Sequence, residues 1–398
     1  MAKLVDIEAS AAARAASDAF ALWRLGLRPF YLVASAYSAL SIALWAAQYA
    51  GWLQKPYLEG PMWHAHEMIF GFALAVIAGF LLTAVRNWTG RPTPSGGALI
   101  ALVGLWIAGR VLLLTPYAVA AAAVDTLFPV AVALGIGVPL LRSGNRRNYF
   151  FIGLLLAMAA LDLTEHLSRL GAVALPERYS VQGALDLVLL IMTVMGGRVI
   201  PMFTSNGVRG SAPRRNAMIE RLAPASAVAL LVADLLQAPS WALIAVLAVG
   251  ALVQGARAWL WRPWQTLGVP LVWVLHAGYL WIPVYLALRA LGEAGMLAIP
   301  IATHALTVGA IGMLTMGMMT RTARGHSGRP LTVDRREVAA YALVGLAAIT
   351  RVVVPLVAMS LYREAVIASA CMWSAAFALY AVHYWPILSR PRIDGKPG

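Results

Sequence analysis

The chain has 398 residues, of which 61% are hydrophobic and only 12% charged, whereas ordinary soluble domains carry about 25% charged residues. Its mean hydropathy is +0.75. This composition excludes a soluble globule, which needs more polar surface, and a disordered chain, which carries far less apolar surface. Because a spanning helix takes about 20 apolar residues, the sequence predicts an all-α, polytopic membrane protein.

The predicted organisation has three parts. Residues 1–28 are expected to be a cytoplasmic amphipathic segment with an interfacial helix at about 8–22, because their acidic residues and missing apolar core do not fit a cleaved signal peptide. Residues 29–388 are expected to form one membrane domain, and residues 389–398 a cytoplasmic tail. The membrane domain contains twelve predicted helices, at 29–53, 62–85, 97–115, 117–141, 147–168, 180–200, 222–238, 240–261, 268–290, 298–320, 336–359 and 364–388.

Lysine and arginine are concentrated on one side of the predicted membrane. This side, called the basic side below, comprises both termini and the loops at 86–96, 142–147, 198–221, 257–262 and 321–336, and it holds 24 of the 31 basic residues. The opposite side holds five. By the positive-inside rule the basic side, with both termini, is predicted to be cytoplasmic.

The net charge of +14 therefore follows from topology and contact with anionic membrane lipid, and no nucleic-acid partner is predicted. The single cysteine, Cys371, excludes an internal disulfide, c-type haem attachment and thiolate-bound iron–sulfur clusters.

Ionisable residues within the predicted spans are costly and are candidates for a functional site. They fall in the half of the membrane near the opposite side, which favours a polar site there, although snorkelling or isolated ion pairs would also account for single members. These residues are Arg110, Asp125, Asp162, Glu165, Asp186 and Arg351.

The histidines follow the same distribution. Of seven, His326 and His383 lie at the basic side, and the other five are predicted at mid-membrane or nearer the opposite side. Imidazole binds copper, iron and zinc, and a non-covalently held haem b needs an axial histidine. The sequence thus predicts a metal or haem site built from His64, His66, His166, His276 and His304.

An internal repeat links the second and tenth predicted helices. At an offset of 238 residues, His66 aligns with His304, Gly71 with Gly309, Gly79 with Gly317, Arg86 with Arg324, and Gly90-Arg91-Pro92 with Gly328-Arg329-Pro330. Gly71, Ala75 and Gly79 also have the spacing of a close helix contact. The repeat suggests three four-helix units with helices two, six and ten equivalent. This architecture is similar to that of the haem–copper oxidase catalytic subunit, as an analogy only.

Five phrases resemble the NnrS family more directly. They are Arg28-Pro29-Phe30, WHAHEMIFGFALAVIAGFLLTAVRNWTGRP at 63–92, GGRVIPMFTSNG at 196–207, LHAGYLWIP at 275–283 and HALTVGAIGMLTMGMMTRTARGHSGRP at 304–330. The resemblance spans nearly the whole chain. It implies a bacterial inner-membrane protein that contains haem and copper and is associated with nitric oxide metabolism and nitrosative-stress resistance.

Helix geometry suggests how the histidines divide between two cofactors. Residues 64 and 66 are about 200° apart on an ideal helix, so they are predicted to serve different centres. His66 and His304, which match in the repeat, are the predicted haem ligands. The remaining His64, His166 and His276 are the predicted copper ligands.

Two points of this assignment stay open. In one alternative, His276 replaces one haem ligand and leaves a five-coordinate haem beside copper. Arg110 and Arg351 are candidate partners of haem propionates, and ion pairs with Asp125, Asp162 or Asp186 are an equal alternative. No catalytic residue is assigned.

Several functions remain open at this stage. The leading hypothesis is a haem–copper protein that acts on nitric oxide, either as an oxidoreductase supplied by quinol or another electron donor, or as a homeostasis factor without turnover. The alternative is a secondary transporter that uses intramembrane histidines and carboxylates. A membrane sensor or scaffold is a third hypothesis.

Overall fold

The computed structural model describes residues 20–49 and 60–396. Within them the chain forms twelve long helices and no strand, so the all-α, twelve-helix prediction is confirmed. The helices are α1 Leu27–Tyr49, α2 Gly60–Thr89, α3 Gly97–Leu112, α4 Ala118–Ser143, α5 Phe150–Arg169, α6 Glu177–Gly207, α7 Ala217–Leu235, α8 Ser240–Leu260, α9 Pro270–Glu293, α10 Ile299–His326, α11 Arg335–Val357 and α12 Tyr362–Leu388.

Ten of the described helices are long and apolar enough to cross a membrane, as expected for a multi-pass membrane protein. The other two are α3, which has 16 residues, and α7, which carries three charged side chains. The predicted and observed helix boundaries differ most at the basic side. There α6 extends seven residues beyond position 200, and α10 extends six residues beyond position 320. A helix can continue into water after its apolar stretch ends, and apolar patterning cannot detect that extension. The predicted interfacial helix at 8–22 lies almost wholly outside the described residues.

Neighbouring helices in the sequence pack against each other, and α12 packs against α1, which closes the bundle. Three helices that are equivalent in the predicted repeat, α2, α6 and α10, face a central apolar cavity together with single residues of α1 and α9. The cavity has an empty volume of about 770 Å³, part of it open to the surroundings. Tyr31 and Thr315 are the polar side chains among its lining residues, and no histidine lines it.

The two helices of the repeat, α2 and α10, share a π-helical segment at the same position. A π-helical segment runs over Glu67–Ala73 in α2 and over Ala305–Ile311 in α10, and the two segments differ by 238 residues. Each begins directly after the histidine that the repeat aligns. Because π segments are rare and often occur at functional sites, their shared position supports the repeat. α6 is α-helical throughout, so the third unit lacks this feature.

Glycines that occur at the same position in both repeat units lie at close helix contacts. A Cβ atom at Gly79 would lie 2.8 Å from Phe30 Cβ on the preceding helix, α1. A Cβ atom at Gly317 would lie 2.7 Å from Leu275 Cδ2 on the preceding helix, α9. Both helices of the repeat therefore pack through glycine against their predecessor, as the small-residue spacing in α2 predicts.

Gly79→Ala is expected to destabilise the protein by about 1–3 kcal/mol, because the added methyl group overpacks the α1–α2 contact. Gly104→Ala is the matched control, since no atom lies within 4 Å of a Cβ atom built at that position. Thermal unfolding of both purified variants in detergent tests the prediction. Equal midpoints for Gly79→Ala and Gly104→Ala would contradict the assignment of a tight contact.

Candidate metal centre

A buried polar cluster joins α2, α3, α4 and α5 in the half of the bundle near the opposite side. All its members are at most 5% exposed. We call it the carboxylate–histidine centre, and it consists of His66, Glu67, Arg110, Asp125, Asp162, Glu165 and His166. It contains four of the six ionisable residues that the sequence places within the spans near the opposite side, with Asp186 and Arg351 lying elsewhere.

His66 lies among three of the carboxyl groups. Its Nε2 atom is 2.7 Å from Asp125 Oδ2 and 3.8 Å from Asp162 Oδ1, and its Nδ1 atom is 3.4 Å from Glu165 Oε1. The Nε2 atom of His166 is 3.7 Å from both Asp125 Oδ2 and Asp162 Oδ1. The two imidazoles therefore converge on the same pair of aspartates.

Arg110 holds the other side of the centre. Its Nη1 atom donates to Glu67 Oε2 at 2.7 Å, and its Nη2 atom donates to Asp125 Oδ1. Tyr37 OH also donates to Glu67 Oε2, at 2.5 Å. Gly71 leaves the room for this arrangement, since a Cβ atom there would lie 2.6 Å from Glu67 Oε2 and 3.1 Å from Arg110 Nη1. Arg110 therefore forms ion pairs in the structure, which is one of the two roles that the sequence predicts for it.

The donor set fits a metal cation. One ligand atom each from His66, Asp125, Asp162 and His166 lie within 4.8 Å of one another, and all four residues are buried. The centre contains four carboxyl groups and one guanidinium, which pairs with only two of them, Glu67 and Asp125. Ionisation of all four would therefore leave negative charge uncompensated. Several carboxyl oxygens also have no hydrogen-bond partner among the described residues, namely Glu67 Oε1, Asp162 Oδ1 and both oxygens of Glu165. Unpaired buried charge costs several kcal/mol, and a bound cation would offset that cost.

His64 and His304 have different surroundings. The His64 ring lies 4.8 Å from the Trp45 ring. The first turns of α10, which end at His304, pack against α11, the helix that carries Arg351. Arg351 donates to Tyr362 OH at 3.1 Å, and its Nη1 atom is buried without a hydrogen-bond partner among the described residues. We call these residues, His64, His304 and Arg351, the histidine–arginine site. The repeat explains its lack of carboxylates in part, because Ala305 aligns with Glu67.

His276 lies apart from both groups. Its Nε2 atom is 2.7 Å from Thr204 Oγ1, near the end of α6 at the basic side. Since α9 begins at Pro270 on the basic side, His276 is less than two turns from that end rather than near the opposite side. The structure therefore does not assemble the predicted copper set of His64, His166 and His276. The predicted pairing of His66 with His304 on haem stays a prediction.

Sequence reasoning missed three members of this region. Glu67 stands directly after His66 and supplies the main carboxylate for Arg110, but it was not among the candidates. Tyr37 on α1 and Thr126 on α4 hydrogen-bond to Glu67 and Asp162, respectively. The charged residue beside His66 was a usable signal, whereas nothing in the sequence distinguishes the tyrosine and the threonine.

A second group of potential ligands, at the basic side, has a structural explanation. It comprises Asp334, Glu337 and His383. Asp334 caps α11 through a capping box with Glu337. Glu337 also accepts two hydrogen bonds from Arg324, at 2.7 Å each. Burial raises the pKa of Asp334, but hydrogen bonds from the backbone of Glu337 and Arg336 outweigh it and lower the pKa overall.

Fold and site together define a polytopic α-helical membrane protein with a buried carboxylate–histidine centre and a separate histidine–arginine site. The family model described as NnrS protein matches residues 21–392, nearly the whole chain. The chain belongs to the NnrS family, which supports a nitric-oxide-linked membrane protein. No curated protein sequence gives a significant match.

Proposed function

We propose that this protein binds haem b and copper in the bacterial inner membrane and acts in nitric oxide metabolism or in resistance to nitrosative stress. Family membership supports the link to nitric oxide. The observation that carries the cofactor part is the carboxylate–histidine centre, where two imidazoles and an excess of carboxylates meet in a buried space. Both termini lie on the cytoplasmic side in this proposal, in line with the basic side.

Copper is the metal proposed for the carboxylate–histidine centre. Imidazole and carboxylate donors suit copper(II) as well as iron and zinc. His66 and His166 would supply nitrogen ligands, and Asp125 and Asp162 would supply oxygen ligands. Arg110 and Thr126 hydrogen-bond to these aspartates and orient them, as outer partners of metal ligands commonly do.

Haem is proposed at the histidine–arginine site. His304 would hold the haem iron in this proposal, and His64 is the second candidate ligand. The buried Nδ1 atom of His64 and the Nη1 atom of Arg351 have no hydrogen-bond partner among the described residues. Arg351 would pair with a propionate. In the competing assignment, His66 and His304 would together hold the haem.

When bound, haem and copper supply one-electron chemistry and positions at which nitric oxide binds. The protein's own residues govern protons and access. Tyr37, Glu67 and Arg110 form a hydrogen-bonded chain that can hold a proton beside the centre. The central apolar cavity suits an apolar diatomic molecule, and electrons require quinol or another donor as a partner.

The transporter alternative receives no specific support from the described residues. Secondary transporters place broken helices around a midplane site. Here the π segments of α2 and α10 continue directly into α-helix on both sides. The two helices are therefore irregular but unbroken.

Addition of nitric oxide to the purified, dithionite-reduced protein tests the proposed function. We expect a change in the visible haem spectrum and, with a quinol donor, consumption of nitric oxide measured by an electrode. His276→Ala is the control that should keep both responses, because His276 lies outside both sites. A haem-loaded protein with neither response would contradict a direct action on nitric oxide.

A further inference from the structure

A second intramembrane polar network lies between α6, α7 and α9, apart from both proposed cofactor sites. Arg289 donates to both oxygens of Asp234, at 2.7 and 2.5 Å, and to Tyr285 OH at 3.1 Å. Asp186 Oδ1 accepts a hydrogen bond from Gln182 Nε2 at 3.0 Å and lies 3.7 Å from Arg289 Nη1. These residues are near the opposite side of the membrane.

The charges of this network do not balance. Arg289 directs both terminal nitrogens to Asp234, and its Nε atom lies 3.7 Å from Glu293 Oε1. Asp186 is fully buried, and its Oδ2 atom has no hydrogen-bond donor among the described residues. Three carboxyl groups thus share one guanidinium. An ionised Asp186 would be a buried charge without a full partner, which is costly within a membrane.

The two aspartates are also close to each other. Arg289 Nη1 lies 2.7 Å from Asp234 Oδ2 and 3.7 Å from Asp186 Oδ1, so both carboxyl groups flank the same nitrogen atom. Two buried carboxylates that share one site repel each other, and a proton on one of them removes this repulsion. The excess of carboxyl groups and their positions therefore both favour one proton on the pair.

A neighbouring network shows what a balanced arrangement looks like in this protein. Closer to the basic side, Arg257 pairs with Glu220 at 2.5 Å and donates to Thr193 O and Tyr279 OH. The single carboxylate there is fully paired, because Glu220 Oε2 also accepts a hydrogen bond from the exposed Arg215 at 3.2 Å. Tyr279 OH donates to the neutral Gln254. This inner network needs no added proton and is explained by packing alone.

We propose that Asp186 and Asp234 together bind one exchangeable proton taken from the opposite side of the membrane. The proton adds to a carboxylate oxygen and comes from water, so no other reactant is needed. Asp234 and Glu293 are partly exposed, at 11% and 18% of their side chains, whereas Asp186 is enclosed. Exchange therefore proceeds past Asp234 and Glu293, and Gln182, Tyr285 and Arg289 are the other polar groups that face the pair.

Infrared spectroscopy of the purified full-length protein near neutral pH tests this proposal without any cofactor. We expect a carbonyl stretch of protonated carboxyl groups that shifts in D₂O, and one component of this band should disappear in Asp186→Asn. Glu220→Gln is the matched control and should keep the band, because Glu220 is a paired carboxylate of the inner network. A band that Asp186→Asn leaves unchanged, or no band at all, would overturn the proposal.

Thermal unfolding gives a second test that separates protonation from a plain salt bridge. Asparagine is a neutral isostere of protonated aspartic acid, so Asp186→Asn should leave the unfolding midpoint nearly unchanged. Asp234→Asn should lower it, because Arg289 loses its bidentate partner. Equal loss of stability in the two variants would show that both carboxylates are ionised partners of Arg289 and would overturn the shared proton.

Discussion

His66→Ala is expected to remove copper from the protein while leaving haem bound, and His304→Ala is expected to do the reverse. His66 lies between carboxyl groups of Asp125, Asp162 and Glu165, whereas His304 lies on the part of α10 that packs against α11. Loss of an outer partner of a metal ligand already costs about 10–100-fold in affinity, and loss of the ligand itself should cost more. Metal analysis and visible spectra of each purified variant measure the two effects.

His276→Ala is the matched control for both variants, since its imidazole bonds to Thr204 away from either site. It should retain both cofactors. Loss of haem, rather than copper, from His66→Ala would restore the pairing of His66 with His304. Loss of copper from His276→Ala would mean that the carboxylate–histidine centre is not the copper site.

Arg110→Gln is expected to lower the free energy of unfolding by about 3–5 kcal/mol, the usual cost of breaking a buried ion pair from one side. The substitution leaves Glu67 and Asp125 without their guanidinium among other buried carboxyl groups. Adding Glu67→Gln should recover part of the loss, because it removes one of the unpaired charges. Thermal unfolding of the single and double variants measures this coupling.

The surface pair Arg392–Asp394 provides the control for Arg110. Its nitrogen and oxygen lie 2.5 Å apart, and the hydrogen bond from Arg392 lowers the pKa of Asp394 to about 2. Exposed ion pairs contribute little to stability because water and salt screen them, so Arg392→Gln should hardly change the midpoint. An equally small effect of Arg110→Gln would show that the carboxylate–histidine centre does not depend on this guanidinium.

The helices and their repeat were accessible from the sequence because both leave local patterns. Apolar stretches of about 20 residues identified the helices, and matched His, Gly, Arg and Pro residues identified the repeat. The angle between residues 64 and 66 predicts different surroundings for His64 and His66, and the structure shows Trp45 beside one and Asp125 beside the other.

The residues that come together in each site could not be predicted from the sequence in the same way. The carboxylate–histidine centre depends on which faces of α2, α4 and α5 meet, and helix packing in a bundle is a tertiary property that spacing along one helix does not determine. The depth of His276 is difficult to predict for a related reason: a position within a span gives only an approximate height. The π segment after His66 also changes the facing of later residues, and regular helical spacing cannot predict it.

Cofactor content tests the central claim most directly. The full-length protein would be purified in detergent from cells supplied with haem and copper, and its oxidised and reduced visible spectra would be recorded with iron and copper quantified on the same sample. The account predicts a reduced b-type haem spectrum with copper and haem in comparable amounts. A colourless, metal-free protein would contradict it, and the intramembrane histidines would then be candidates for a proton or substrate path.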